Sequence, residues 1–184
     1  FKFGRGGKGD TSLLEQLSRE YGFFFDVVEA ITMNGEKIGS NRIRKLIMEG
    51  DVKKAGLFLG RPVSMEGKVV HGDGRGKGIG FPTINLKTDY ELIPKEGVYI
   101  SEVEINGKRF PSVTNVGYNP TFNTGKLSIE THILEYSGDL YEVELTLIFH
   151  DRIRGEIKFD GVEALKDRIA ADIDIARTYF RDKK

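Results

Sequence analysis

Cysteine and tryptophan are absent from this 184-residue chain, proline occurs only 5 times, and 28 basic side chains face 28 acidic ones. Without cysteine there is no disulfide scaffold, no thiolate zinc site and no cysteine nucleophile. The compartment is not fixed by that absence. A formal net charge of +0 argues against a dedicated nucleic-acid or membrane-surface binder, since such proteins carry an excess of Lys and Arg. No segment reads as a signal peptide, and no apolar run is long enough to span a bilayer. The residue in excess is glycine, with 23 copies, roughly one residue in eight against an average near 7%. A hydrophobic content of 39%, with aromatics spread along the chain, excludes low-complexity disorder. A body of about this length buries roughly 70% of its unfolded surface, so a core needs no metal or disulfide staple. The chain opens on Phe1 rather than Met, and residues are expected before it.

Hydrophobic periodicity divides the chain near residues 59–62. Residues 1–60 read as mixed helix and strand. Ser12 and Glu15 form a capping box ahead of Leu13, Leu14 and Leu17, with Gly22 as the C-cap. Residues 23–31 are apolar, aromatic and β-branched, which predicts a strand. Ser40 is placed to cap a helix sharing Ile43, Leu46 and Ile47 on one face and ending at Gly50. Asp51 caps a last short helix that stops near Gly60. Residues 61–184 then switch to period two. Tyr141, Val143, Leu145, Leu147 and Phe149 alternate with mainly polar neighbours, a strand with one buried face. Asn106-Gly107 between two such runs is a hairpin signal, and residues 127–136 and 140–150 read as a second hairpin around Ser137-Gly138-Asp139. Strands at this spacing without intervening helices predict an antiparallel barrel or sandwich. Asp160 and Glu163 look like a capping box for a final helix. Its Val162, Leu165, Ile169, Ile173, Ala176 and Phe180 recur at helical spacing, so it packs on the barrel.

The segment Gly72-Asp73-Gly74-Arg75-Gly76-Lys77-Gly78-Ile79-Gly80 has glycine at every second position. It fits neither the P-loop spacing nor G-x-G-x-x-G. It reads either as a flexible surface hairpin or as a loop whose amides approach an anion, with Arg75 and Lys77 adding charge. In Phe81-Pro82-Thr83-Ile84-Asn85, Pro82 keeps Phe81 extended, and a strand would turn Thr83 and Asn85 to one side. That pair is either an ordinary polar face or a pair of hard-oxygen ligands that share Mg²⁺ with phosphates. Glu130 sits in a predicted strand, where Glu is disfavoured. It is a solvent-facing residue or a general base lining a barrel mouth. Gly4-Arg5-Gly6-Gly7-Lys8-Gly9 matches G-x-G-x-x-G ahead of a helix, but no acidic ribose ligand follows it, so a Rossmann dinucleotide site is not supported. His71, His132 and His150 lack metal-ligand spacing.

Taken in order, Gly67-Lys68-Val69-Val70-His71-Gly72, the glycine-rich loop, Gly80-Phe81-Pro82-Thr83-Ile84-Asn85, Gly97-Val98-Tyr99, Asn115-Val116-Gly117-Tyr118-Asn119-Pro120-Thr121-Phe122, Glu130-Thr131-His132, Asp139-Leu140-Tyr141 and Arg154-Gly155-Glu156-Ile157-Lys158-Phe159 resemble riboflavin kinase over about residues 61–181. Residues 1–60 resemble the end of the FMN adenylyltransferase domain of bacterial bifunctional FAD synthetases, through Phe1-Lys2-Phe3-Gly4 and Ser40-Asn41-Arg42-Ile43-Arg44. Ile84 stands where that family usually has Ala, Glu142 where Gly follows the Leu-Tyr pair, and Gly39 and Asn41 replace Ser and Thr. A His-x-x-His-type motif for adenylyl transfer is absent.

The resemblance implies a mainly β fold: a six-stranded antiparallel Greek-key barrel with a C-terminal helix, preceded by an α/β remnant of a Rossmann-like nucleotidyltransferase. It implies cytoplasmic transfer of the ATP γ-phosphoryl group to riboflavin, giving FMN and ADP. Mg²⁺ would be held by Thr83 and Asn85, and the base would be Glu130. ATP would bind along Gly72, Gly74, Gly76, Lys77, Gly78, Gly80, Phe81, Pro82, Thr83 and Asn85, and the flavin at Arg154, Glu156 and Phe159. Phe3, Gly4, Ser40 and Arg44 would be what remains of the adenylyltransferase site, with FAD made only by the intact protein. No nucleic-acid, membrane or obligate protein partner is expected. The alternative from another class is a non-catalytic barrel that binds single-stranded nucleic acid through its basic glycine loop.

Overall fold

The computed structural model describes residues 2–72, 74–118 and 127–183. Phe1, Asp73, the side chain of Arg75 and the motif residues Asn119, Pro120, Thr121 and Phe122 lie outside the described residues. The chain forms two compact units, Phe1–Ile38 and Gly39–Lys184. Of the three helices that the sequence reading attaches to residues 1–60, the first lies in the first unit and the last two fall in the second.

In the first unit the chain turns back on itself, so that Phe3 and Gly9 bond reciprocally at 3.0 and 2.9 Å. Gly4 and Gly6 make that turn at φ 74° and 68°, where a side chain would be strained. Helix α1 (Thr11–Tyr21) is capped by Asp10, whose carboxylate accepts from Leu13 N–H at 3.1 Å. Ser12 therefore lies inside the helix, not at its cap. Gly22 ends α1 as expected, at φ 72°. Residues 23–31 are not a strand. Phe24 is 92% and Val28 89% exposed, and no strand among the described residues pairs with them. β propensity alone makes no strand without a partner edge. Strands β1 (Thr32–Met33) and β2 (Glu36–Lys37) pair around Asn34-Gly35.

The second unit begins with α2 (Ser40–Glu49), whose N-cap is Gly39 rather than Ser40 and makes no side-chain bond. Asp51 does cap α3 (Val52–Leu59), accepting from Lys54 N–H at 3.0 Å, and Gly60 ends it. A closed antiparallel barrel follows: β3 (Val63–Val70), β4 (Ile84–Lys87), β5 (Gly97–Ile105), β6 (Lys108–Tyr118), β7 (Leu127–Ile133) and β8 (Glu144–Arg154), with the short α4 (Arg75–Gly78) between β3 and β4. The strand order around the barrel is β3-β4-β7-β6-β5-β8. Asn106 and Gly107 make the β5–β6 turn at φ 50° and 75°, the left-handed pair that a tight hairpin needs.

The second hairpin expected from sequence does not exist. Strand β7 pairs with β4 and β6, while β8 pairs with β3 and β5. Closure of the barrel sends β8 to the far side of β3, and residues 134–143 make the crossing. There Leu134 N–H bonds Pro111 O at 2.8 Å and Glu142 N–H bonds Val69 O at 3.0 Å. Tyr141 and Val143 thus precede the strand, and Leu145, Leu147 and Phe149 carry its inward face. Ile148 is buried as well, because α3 packs against β8 from outside.

Two apolar layers result. The barrel interior holds Met65, Val69, Val103, Val116, Leu147 and Phe149. It also holds a run of hydroxyls that satisfy one another: Ser112 to Ser101 at 2.8 Å, Ser101 to Thr114 at 2.7 Å and Thr114 to Thr131 at 2.9 Å. Outside the barrel, α5 (Val162–Arg181) lays Ile173 and Ala176 on Val98, Ile100, Val113 and Leu134. The N-cap of α5 is Gly161, without a side-chain bond, so the Asp160–Glu163 capping box does not form. Packing of its apolar face holds this helix in place.

Candidate active site

Strand alternation decides which residues meet. Thr131 points into the barrel, where it bonds Thr114, so its neighbours Glu130 and His132 stand on the outer wall. Glu130 is half-buried there, and it registers with Asn85 on β4 and with Asn115 on β6. The carboxylate therefore does not line a barrel mouth, one of the two positions left open by the sequence. It lies on the outside face, between two amide side chains from flanking strands.

The glycine-rich loop folds onto the same face. Residues 75–78 make one helical turn entered through Gly74 at φ 69°. The N–H groups of Ile79 and Phe81 bond the Gly76 carbonyl at 3.2 and 2.8 Å, and Gly80 N–H bonds Lys77 O at 3.3 Å. These amides are turned inward. Glycine is required here for closeness as much as for conformation. A Cβ on Gly72 would lie 2.0 Å from Asn85 Nδ2, and one on Gly76 would lie 2.3 Å from the Phe81 carbonyl and 3.1 Å from Thr83 Oγ1. Thr83 and Asn85 are thus both packed under the loop. His132 Nδ1 donates to the Pro82 carbonyl at 2.7 Å, and its ring meets Phe81 edge-on at 6.0 Å. Phe81 in turn reaches the apolar layer beneath α5. Lys77 is exposed, as are Gly74, Gly78, Gly80 and Pro82.

From the other side, Arg154 ends β8 and residues 155–159 follow it. Arg154 Nε donates to Asp172 Oδ2 at 2.9 Å, and its guanidinium lies 5.8 Å from the centre of the Phe159 ring. A Cβ on Gly117 would come within 2.0 Å of Glu156 Oε1 and 3.5 Å of Asn115 Nδ2. Glu156 therefore rests on bare backbone of β6, beside the amide that flanks Glu130. Phe3, Gly4, Ser40 and Arg44, which the resemblance sets apart as an adenylyltransferase remnant, are divided between the two units. Phe3 and Gly4 belong to the first unit. In the second, Ser40 opens α2 and Arg44 Nη1 donates to Asn41 at 3.3 Å.

Asn115, Gly117, His132 and Asp172 received no role from sequence, although the first three lie in motif blocks. The register between β6 and β7 brings Asn115 to Glu130, and register is not visible in one strand read alone. Chemically, the face combines a loop with a nearby cation, two hard-oxygen donors, a carboxylate and an aromatic flap. That combination suits phosphoryl transfer, where positioning and charge neutralisation carry most of the catalysis.

Comparison with known proteins agrees. Residues 59–180 match the flavokinase family, described as riboflavin kinase. The chain is 35% identical over 178 residues to the bifunctional riboflavin kinase/FMN adenylyltransferase of Pseudomonas fluorescens, covering 96% of this chain and 57% of that protein. It is 37% identical over 186 residues to the protein of the same name from Bacillus subtilis (strain 168), covering 98% and 58%. A crystal structure described as a macrolide-efflux protein from Streptococcus pneumoniae superposes with a TM-score of 0.84 at 35% identity, covering 96% of this chain and 57% of that one. The chain belongs to the riboflavin kinase family. It spans somewhat more than half the length of the curated relatives it matches.

Proposed function

We propose that this chain phosphorylates riboflavin, moving the γ-phosphoryl group of ATP to the ribityl 5′-hydroxyl and releasing FMN and ADP. The observation that carries this reading is the outer-wall register that sets Glu130 between Asn85 and Asn115, beside a glycine loop in which Gly72 is pressed against Asn85 and Gly76 against the Phe81 carbonyl and Thr83. Glu130 removes the hydroxyl proton as the ribityl oxygen attacks. The new O–P bond forms at the γ-phosphorus, the bond to the β-phosphate oxygen breaks, and the proton stays on the carboxyl group. Lys77 and the glycine loop face the phosphates. Phe159 supplies an aromatic face for the flavin, with Arg154 and Glu156 as its polar contacts.

The donor set fits Mg²⁺. A hydroxyl from Thr83 and an amide from Asn85 are hard and uncharged, and among the described residues there is no cluster of three or more His, Cys, Asp or Glu. Such a set binds the ion together with phosphates and water rather than as a protein cage. When bound, Mg²⁺ neutralises charge on the transferring phosphates. FAD formation is assigned to the whole protein, with Phe3, Gly4, Ser40 and Arg44 as part of its adenylyltransferase site, and the reaction is placed in the cytoplasm, where ATP is supplied. Family membership does not favour the nucleic-acid-binding alternative. The efflux activity in the Streptococcus pneumoniae description is not carried over, and no helix among the described residues is long and apolar enough to cross a membrane.

Riboflavin, ATP and Mg²⁺ incubated with the chain are expected to yield FMN, and chelating the metal is expected to stop it. Glu130→Gln should lower turnover by about 10²–10⁴ while riboflavin still binds. Normal turnover in that variant would remove Glu130 from the mechanism.

A further inference from the structure

Asp172 stands on α5 with 1% of its surface exposed. Its Oδ2 accepts from Arg154 Nε at 2.9 Å and lies 2.8 Å from Arg154 Nη2. One turn earlier on the same helix, Arg168 brings Nε to 3.1 Å from Oδ1. That approach is off the N–H direction, so it contributes charge rather than a hydrogen bond. Exposed ion pairs contribute little, but this carboxylate is inside the protein, where a charge persists only if it is paired.

The pair joins the helix to the segment 154–159. Arg154 is the last residue of β8 and registers with Val98, which belongs to the layer under α5. Its side chain therefore faces the helix and not the barrel interior. From that position Nη1 donates to the Gly155 carbonyl at 3.0 Å, and the guanidinium faces the Phe159 ring. One guanidinium thus touches both ends of the segment 154–159. Its own orientation is set by a carboxylate on a helix already anchored by Ile173 and Ala176.

We infer that Asp172 is a positioning residue for the flavin. It fixes Arg154, and through Arg154 it holds residues 154–159 ready to receive the flavin before riboflavin arrives. This deepens the kinase reading and rests on it. Holding a flap in its binding conformation lowers the ordering cost of binding, so the effect belongs in riboflavin affinity and not in the chemical step.

The test uses the full chain, with riboflavin affinity read from quenching of flavin fluorescence without ATP, alongside steady-state kinetics. For Asp172→Asn, the riboflavin Kd and KM should both rise about tenfold or more, while kcat at saturating riboflavin and the KM for ATP stay within about threefold. In a double-mutant cycle, Arg154→Met should weaken riboflavin binding. Adding Asp172→Leu to it should weaken binding no further, because Asp172 acts through Arg154. That double variant replaces the charge pair with apolar groups and so retains the fold if Asp172→Asn alone does not. A folded Asp172→Asn chain with unchanged riboflavin affinity overturns the inference. So does an additional loss in the double variant over Arg154→Met. A wild-type chain that binds riboflavin without making FMN would overturn the kinase reading and leave the binding comparison to decide on Asp172. A wild-type chain that binds no riboflavin would overturn both.

Discussion

Gly72 and Gly117 have side chains of other residues standing where their own would be, Asn85 at one and Glu156 at the other. Neither needs the left-handed backbone region, so the constraint is space alone. Gly72→Ala should push Asn85 away from Glu130 with little change in stability. FMN formation should fall about tenfold or more, mainly through a higher requirement for ATP and Mg²⁺, measured by initial rates at varied concentrations of each. Unchanged kinetics would mean that Asn85 is not a ligand. Glu142 shows the opposite case. It occupies φ 66°, where glycine is favoured, and it ion-pairs with Lys68 at 2.5 Å. The Lys68 ammonium holds the Glu142 carboxyl below its ordinary value, chiefly by hydrogen bonding. Glu130 could be read from sequence as a misplaced strand carboxylate. Its neighbours could not, because Asn115 lies fifteen positions earlier and is brought beside it by strand register alone.

Helix α5 is fastened at its middle by Asp172 and near its C-terminal end by His150. His150 Nε2 donates to Glu102 Oε2 at 2.7 Å, and its ring packs against Tyr179 and Phe180 at 5.6 and 5.5 Å. Burial lowers the His150 pKa, and Glu102 opposes that only in part. Lys183 and Arg109 also disfavour the cation. The folded chain therefore takes up this proton less readily than the unfolded chain, whose value is about 6.5. The contribution to stability is complete above roughly pH 6.5 and is lost as the pH falls from there through the folded-state value. Thermal midpoints measured from pH 8 to 5 should decline in that window, and His150→Gln should flatten the decline. A slope that survives the substitution would place the titration elsewhere. Elements with strong local signals were legible: Gly22, Gly50 and Gly60 end helices, Asp51 caps one, and Asn106-Gly107 turns a hairpin. Two other readings, the strand over residues 23–31 and the hairpin between β7 and β8, depended on pairing partners, which propensity does not supply.

At the scale of the molecule, α2 and α3 fall in the same unit as the barrel and bury Leu46, Ile47, Val52, Ala55 and Phe58. Their joint to it is specific. Lys95 N–H bonds Ile47 O at 3.2 Å, and the Tyr99 hydroxyl donates to the Lys95 carbonyl. Burial pushes the pKa of Tyr99 up to about 12, so it remains a donor throughout the neutral range. A chain beginning at Gly39 should unfold cooperatively with a midpoint close to that of the barrel in the full chain. One beginning at Arg61 should lose several kcal/mol, since each large apolar side chain exposed costs about 1.5–3 kcal/mol. Urea unfolding of the two chains checks this, and equal stability would mean that α2 and α3 add nothing to the barrel. By itself the sequence determined the barrel class, the final helix and the place of the glycine loop, and it proposed the reacting groups. Alternation, turn residues and ordered motifs are local properties of the chain. Only the tertiary structure decided that the candidate site residues lie on the outer wall, that Asn85, Glu130 and Asn115 stand abreast, and that Asp172 reaches Arg154. Barrel closure and strand register set those distances, and both arise from pairing between segments far apart in the chain.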